Sequence, residues 1–305
     1  MTTIATPSLA DAVEQGPNLR QRLAARGYDA VTLLAIPSLL FLVLLFIYPF
    51  TYGLILSFEP KAGGVLSNYQ RFFSDPYLYQ TIWKTLLLSI PVTLLNLAMA
   101  LPIAFRVRLM WRQRLLTTIL VIPITLGTVL IAQGLLNYLG PQGWFNRTLL
   151  AIGLIDEPLR LVHNYWGVFA SLVINGFPFT FLLVLSYVTG IDPALEQAAA
   201  TLGASARQRF AHVYLPLLMP GLAITFCLSF VQAFSVFPSA VLLGEPAGET
   251  RVISIAAYQA AFEEYDYSMA SAIAMIMGFV QLAIVVALLA SRGLFYRGPA
   301  SGAKG

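Results

Sequence analysis

Six stretches of this chain are long, apolar and free of Asp, Glu, Lys and Arg. They cover residues 30–57, 85–105, 115–138, 165–188, 215–243 and 267–291. A helix that crosses a bilayer needs about 20 such residues. Only 10% of the residues are charged, whereas soluble domains carry about 25%. The sequence therefore predicts an all-α integral membrane protein with six transmembrane helices, and it excludes a soluble enzyme and a disordered scaffold.

The basic residues are unevenly distributed between the two sides that six spans define. Twelve of the 18 lie in the N-terminal segment, the second and fourth loops and the C-terminal segment. Because basic loops remain in the cytoplasm, both termini are predicted to be cytoplasmic. The predicted organisation is a tail at residues 1–29, a transmembrane domain at 30–291 and a second tail at 292–305. The basic excess is thus a topology signal, and no nucleic-acid partner is expected.

The loop at residues 191–216, between the fourth and fifth spans, carries clear helix signals. Asp192 before Pro193 is typical of a helix N-cap followed by proline at the first helical position. Gly203 suits a left-handed helix end, and Ser205 with Gln208 forms a capping box for a second helix. The loop is therefore predicted to form a cytoplasmic helix-turn-helix.

An apolar patch with a charged rim is expected on this helix pair. The patch would consist of Ala198, Ala199, Leu202 and Phe210, and the rim of Glu196, Arg207 and Arg209. Such a surface either docks another protein or rests on the lipid surface. The local pattern alone leaves both alternatives open.

The same loop resembles the EAA loop of permease subunits of binding-protein-dependent ABC importers of type I. That pattern is Glu-Ala-Ala, three residues, Gly, nine residues and Ile/Val-x-Leu-Pro. The matching residues here are Gln197, Ala198, Ala199, Gly203, Ala204, Ser205, Phe210, Val213, Leu215 and Pro216. Gln197 departs from the usual Glu, although Glu196 lies one place earlier. The six-span layout and the segment from Asn68 to Pro76 also look like these permeases.

The resemblance implies a coupling helix that sits on a cytoplasmic ABC ATPase dimer of a bacterial inner-membrane importer. The residues implied in ATPase coupling are Glu196, Gln197, Ala198, Ala199, Leu202, Gly203, Ala204, Ser205, Arg209, Phe210 and Pro216. A second permease subunit and a periplasmic or extracellular substrate-binding protein are the other implied partners. This chain contains no Gly-x4-Gly-Lys-Ser/Thr phosphate loop, so ATP and Mg²⁺ are expected on the ATPase. The chain is expected to be a transport subunit without catalytic residues or a cofactor.

Neutral polar side chains are the candidates for the substrate path, because the spans contain no charges. The amides and hydroxyl in question are Asn96, Gln133, Asn137, Asn175, Gln232, Ser235 and Gln281. Each alternatively holds helices together by hydrogen bonding. Asn175 and Gln232 lie near prolines, where irregular helices often build sites. We therefore predict a path that includes Asn175, Gln232, Ser235 and Phe237. His163 and His212 lack the companions of a metal site.

The substrate class rests on the resemblance. The residues from Phe237 to Met269 are most similar to permeases of the polyamine, opine and phosphonate type, and a sugar importer is the alternative. The acidic outer segment at residues 244–267 would steer a cation, dock the binding protein, or simply be solvated. An ion-coupled secondary transporter is a different class, and it usually carries an ionisable residue inside its spans. None is present in the six predicted stretches.

Overall fold

The computed structural model describes residues 30–295, with side chains from 36 to 290. The predicted N-terminal tail at residues 1–29 lies outside these residues. Of the predicted second tail at 292–305, residues 292–295 continue the last helix and the remainder lies outside the described part. All regular structure in the described part is helical, and six helices there are long and apolar enough to cross a bilayer. The predicted fold class is confirmed. The chain divides into two compact units, Met1–Ile55 and Leu56–Gly305.

The first span comprises α1 (Ala30–Leu42), a π-helical turn (Val43–Ile47) and α2 (Tyr48–Ser57). Large apolar side chains such as Leu39, Phe41 and Phe46 are exposed. An apolar surface of this kind is what a bilayer-spanning helix presents to lipid.

The other helices follow in chain order and include five further spans. They are α3 (Ser67–Ser74), α4 (Pro76–Val107), α5 (Gln113–Leu139), α6 (Trp144–Ala151), α7 (Tyr165–Thr189), α8 (Pro193–Thr201), α9 (Ala206–Arg209), α10 (Leu215–Phe234), α11 (Pro238–Leu243), α12 (Ile253–Tyr258) and α13 (Tyr267–Phe295). Span α7 is central, because it packs against α4, α5 and α10.

The second span begins nine residues earlier than predicted. We expected it at residue 85 because Lys84 ended the charge-free stretch. The helix instead starts at Pro76, where the Asp75 side chain caps it by accepting from the Tyr77 amide at 2.9 Å. Lys84 lies on this N-terminal extension of the helix, and its Nζ donates to the Gly248 carbonyl at 2.8 Å. A single paired lysine thus does not end the helix.

The fifth span also differs from its prediction at both ends. Helical structure starts at Ala206, runs through a π-helical turn at Phe210–Tyr214 and continues to Phe234. The second helix of the 191–216 loop is therefore the beginning of this span. The chain then breaks at Ser235 and restarts as α11, so the predicted 215–243 span is discontinuous.

Polar contacts between spans supplement the apolar packing. Thr180 on α7 and Ser229 on α10 share a hydroxyl hydrogen bond of 2.8 Å, and both are buried. Near the start of α4, Arg251 is only 3% exposed and donates to the Tyr77 carbonyl at 2.7 Å. Its guanidinium also lies 3.8 Å from the centre of the Tyr77 ring. Burial lowers the pKa of Arg251, and these contacts hold the start of α4 against the segment before α12.

Candidate functional site

The first helix of the 191–216 loop forms as its local sequence predicts. Pro193 occupies the first turn of α8, and Asp192 Oδ1 accepts from the Ala194 amide at 2.8 Å. This bond satisfies one of the amides that a helix start leaves without a partner. The orientation of α8 is thus set at its N-terminus by two adjacent residues.

The turn after α8 depends on a left-handed glycine. Gly203 has a φ of +79°, its amide donates to the Ala200 carbonyl at 3.0 Å, and the Ala204 amide donates to the Ala199 carbonyl at 3.1 Å. This pair of bonds is a Schellman motif. Ser205 and Gln208 then form the predicted capping box, with bonds of 2.8 and 3.3 Å. The helix-turn-helix geometry is therefore present.

Glu196 points into the protein and joins α8 to two spans. Its Oε2 accepts from Arg108 Nη2 at 2.9 Å and from the Tyr214 hydroxyl, and Arg209 Nε lies 3.9 Å from Oε1. Arg108 caps the C-terminal end of α4, and Tyr214 lies at the start of the fifth span. We call Glu196, Arg108, Tyr214 and Arg209 the Glu196 cluster.

Aromatic rings support the Arg108 guanidinium. Its centre lies 5.0 Å from the Phe105 ring centre and 4.7 Å from that of Tyr214, distances typical of cation–π contacts. The hydrogen bond from Tyr214 and the charge of Arg108 lower the pKa of the Glu196 carboxyl, although partial burial opposes them. The carboxylate is therefore held in its charged form.

The exposed face of α8 is smaller than the predicted patch. Leu202 is 88% exposed and Leu195 is 46% exposed, and Ala198 lies between them at helical spacing. We call Leu195, Ala198 and Leu202 the exposed face of α8. Leu195 was absent from the predicted patch, although its position three residues before Ala198 would have revealed it.

Several predicted patch and rim residues lie elsewhere. Phe210 is half-buried, and its ring packs edge-on against Phe105 at 5.6 Å, so it does not belong to an exposed patch. Glu196 and Arg209 face each other inside the Glu196 cluster and do not form a rim. Ala199 and Ala204 are half-buried, whereas Gln197 and Pro216 are exposed. The prediction erred because helical spacing alone does not show which face the spans cover.

A small cavity with both polar and apolar lining residues lies between α4, α7 and α10. Its volume is about 30 Å³, and its lining is Val92, Asn96, Leu172, Asn175, Gly176, Ser229, Gln232 and Ala233. We call it the amide cavity. Asn175 and Gln232, the two preferred path residues, therefore lie at one site. Asn96 and Ser229 complete it, and the sequence offered no reason to prefer them, because both lie in unbroken helix.

The remaining predicted path residues lie outside the amide cavity. Ser235 follows the end of α10, and its Oγ accepts from Gln281 Nε2 at 2.9 Å. Phe237 lies in the break before α11 and packs at a tilt against Tyr258, with ring centres 5.2 Å apart. Among the described residues, no three His, Cys, Asp or Glu side chains are grouped to hold a metal ion.

Comparison with known proteins defines the class to which this fold and loop belong. Residues 92–296 match the family described as binding-protein-dependent transport system inner membrane component, and the chain belongs to that family. It is accordingly a multi-pass inner-membrane protein of the ABC permease type.

Two relatives and one solved structure show how similar this chain is to known permeases and transporters. The spermidine/putrescine transport system permease PotB of Haemophilus influenzae is 32% identical over 182 residues, which is 59% of this chain and 63% of that protein. The probable sulfate permease cysT of Prototheca wickerhamii is 32% identical over 177 residues, covering 58% of this chain and 67% of that relative. A bacterial alginate ABC transporter, solved with an alginate-bound periplasmic protein, has a TM-score of 0.76 at 23% identity. The alignment covers 92% of this chain and 99% of the chain in that structure. The alignment to PotB thus covers less than two thirds of that relative, and the structural likeness concerns the fold.

Proposed function

We propose that this chain is the membrane-spanning subunit of an ATP-driven importer and that α8 is its coupling helix. The single observation that carries this proposal is the two-faced arrangement of α8. The exposed face of α8 is apolar, whereas Glu196 on the other side of the helix is hydrogen-bonded to the ends of two spans. An element that offers one face to a partner and ties the other to the spans is suited to transmit movement.

The Glu196 cluster gives this transmission a physical route. A partner that pulls on α8 moves the Glu196 carboxylate, which bonds Arg108 at the end of α4 and Tyr214 at the start of the fifth span. Both spans contribute to the amide cavity through Asn96 and Gln232. Movement of one loop therefore reaches two walls of the proposed substrate path.

The partners follow from the surfaces that are left exposed. Gln232 near the end of α10 and Ser235 directly after it are exposed in a largely apolar stretch, and polar groups facing lipid are costly. A second permease subunit, with a solvated path between the two, accounts for their position. An ATPase dimer on α8, a substrate-binding protein on the outer side and cytoplasmic termini complete the assembly. The basic residues on the α8 side support this orientation.

The substrate class is the most specific statement in the proposal. We assign this importer a small polar solute of the polyamine type, supported by the similarity to PotB and by the exposed acidic side chains of the outer segment. Those side chains are Glu245, Glu249, Glu263 and Glu264. Sugar import remains the alternative within the same architecture.

The test is whether the exposed face of α8 binds the ATPase subunit. We expect Leu202→Glu to abolish co-purification of the ATPase subunit and ATP-dependent uptake, because a charge replaces the apolar contact. Leu154→Glu is the matched control, since Leu154 is 69% exposed in the loop on the opposite side of the membrane. Retention of the ATPase by Leu202→Glu, or equal loss in both variants, would refute α8 as the docking element.

A further inference from the structure

Asn96 carries a buried oxygen without a hydrogen-bond partner. The residue is 2% exposed, and its Oδ1 accepts no hydrogen bond within the described part of the chain. Buried polar atoms are almost always paired, and an exception requires an explanation. Asn96 lines the amide cavity, so a solute that reaches its Oδ1 from that cavity can supply the missing donor.

The surroundings of Asn96 are shaped to admit its amide. A Cβ at Gly176 on α7 would lie 2.8 Å from Asn96 Nδ2, so any larger residue would push the amide away. Asn175 and Gln232 add amide groups from two neighbouring helices. The Ser229 hydroxyl, by contrast, is already bonded to Thr180. Three amides from three spans thus converge on a cavity that has room for little more than water.

The charges in the cavity lining and in the outer segment indicate which class of solute the site binds. The amide cavity has no charged side chain in its lining, so nothing there neutralises an oxyanion. On the predicted outer side, Glu245, Glu249 and Glu263 are exposed, Glu264 pairs with the exposed Arg71 at 3.9 Å, and Arg251 is buried. An acidic entrance attracts cations, and an ammonium group supplies N–H donors without requiring an acceptor.

We propose that Asn96 Oδ1, together with Asn175 and Gln232, binds the N–H groups of an organic ammonium solute in the path. This inference rests on the proposed importer function and adds the contact residue and its polarity. Acceptor-only anions gain nothing from the unpaired oxygen itself, and only the amide N–H groups of the site remain to bind them. The solute enters the amide cavity when movement of α4, α7 and α10 widens it.

The experiment uses the complete importer, with its co-purified partners, in proteoliposomes. ATP-driven uptake of radiolabelled spermidine and of sulfate is measured for the wild type and for Asn96→Leu, Asn96→Asp and Ser89→Ala. Ser89 is the matched control, because its Oγ is also buried and unpaired on α4 but lies outside the amide cavity. Thermal stability of each variant is measured in parallel.

We expect the wild type to take up spermidine and not sulfate, and Asn96→Leu to lower spermidine uptake about tenfold, as loss of a hydrogen bond to a charged group does. Asn96→Asp keeps an acceptor oxygen and should exceed Asn96→Leu at least threefold, which also decides the matter if Asn96→Leu does not fold. Ser89→Ala should match the wild type.

Sulfate uptake without spermidine uptake, or full spermidine uptake by Asn96→Leu with raised thermal stability, would overturn the inference. The second result would mean that Asn96 is only an unpaired polar group. Equal losses in Asn96→Leu and Ser89→Ala would overturn it too. A complex without any ATPase activity would instead refute the proposed importer function.

Discussion

At the scale of single residues, Glu196 is the side chain on which the proposed coupling depends. Its carboxylate contacts Arg108, Tyr214 and Arg209. The hydrogen bond from Tyr214 is the largest influence that lowers its pKa, and the charge of Arg108 acts in the same direction. The Glu196 cluster is therefore intact at neutral pH.

This pKa shift predicts how stability depends on pH. A carboxyl group whose pKa is lower in the folded state stabilises the fold above its unfolded pKa of about 4.3 and loses that effect as the pH falls through the folded pKa. We expect Glu196→Gln to melt below the wild type by an amount that is constant from pH 8 to 5 and shrinks below about pH 4.

Thermal unfolding of the detergent-purified protein measures this difference. Glu157→Gln is the control, because Glu157 is exposed in the loop between α6 and α7 and has no ion pair among the described residues. A melting difference that changes between pH 6 and 8, or that is absent at every pH, would contradict the assignment.

Residues that act locally were predictable, and residues that act across the fold were not. Asp192, Gly203 and Ser205 have the roles that their neighbours in sequence imply. The partner of Glu196 is Arg108, 88 residues away in the sequence. No local pattern links these two positions, because their contact depends on how α8 lies against the end of α4 in the folded chain.

At the scale of elements, the α8 turn is the most sensitive point. Gly203 adopts a left-handed φ of +79°, which proline cannot reach because its ring holds φ near −65°. We expect Gly203→Pro to abolish uptake without preventing membrane insertion, and Gly203→Ala to destabilise the turn by about 1 kcal/mol.

Gly190 provides the matched comparison for this turn. It ends α7 at the other end of the loop with a φ of −76°, which alanine adopts freely. Gly190→Ala should retain uptake, as measured in the same vesicle assay. Uptake by Gly203→Pro at the wild-type rate would show that the turn does not transmit movement.

The ends of the spans show what hydropathy misses. A charge-based boundary placed the second span nine residues late, although the Asp75 and Pro76 capping signal was present. The break after Phe234 lies inside an apolar stretch, so hydropathy could not reveal it. The bend in α5 likewise occurs at Gly127, with φ 76° and ψ 160°, and not at Pro123. Backbone geometry available only to glycine explains that position.

At the scale of the whole molecule, the proposed orientation can be tested by labelling. Cys227 is the only cysteine and is buried, so a Cys227→Ala background permits single reporters. In intact cells, a membrane-impermeant maleimide should label Glu249→Cys and leave Arg207→Cys unlabelled until the cells are permeabilised. Labelling of Arg207→Cys from outside would place α8 on the wrong side for an ATPase.

The most direct test of the coupling role is the number of solute molecules imported per ATP hydrolysed in the reconstituted importer. We expect Arg108→Glu and Glu196→Arg each to hydrolyse ATP while this ratio falls about fivefold, because each variant places two like charges in contact and breaks the link. The double variant restores an opposite-charge pair and should recover at least half of the wild-type ratio. Wild-type ratios in both single variants, or a double variant no better than the worse single one, would contradict transmission through the Glu196 cluster.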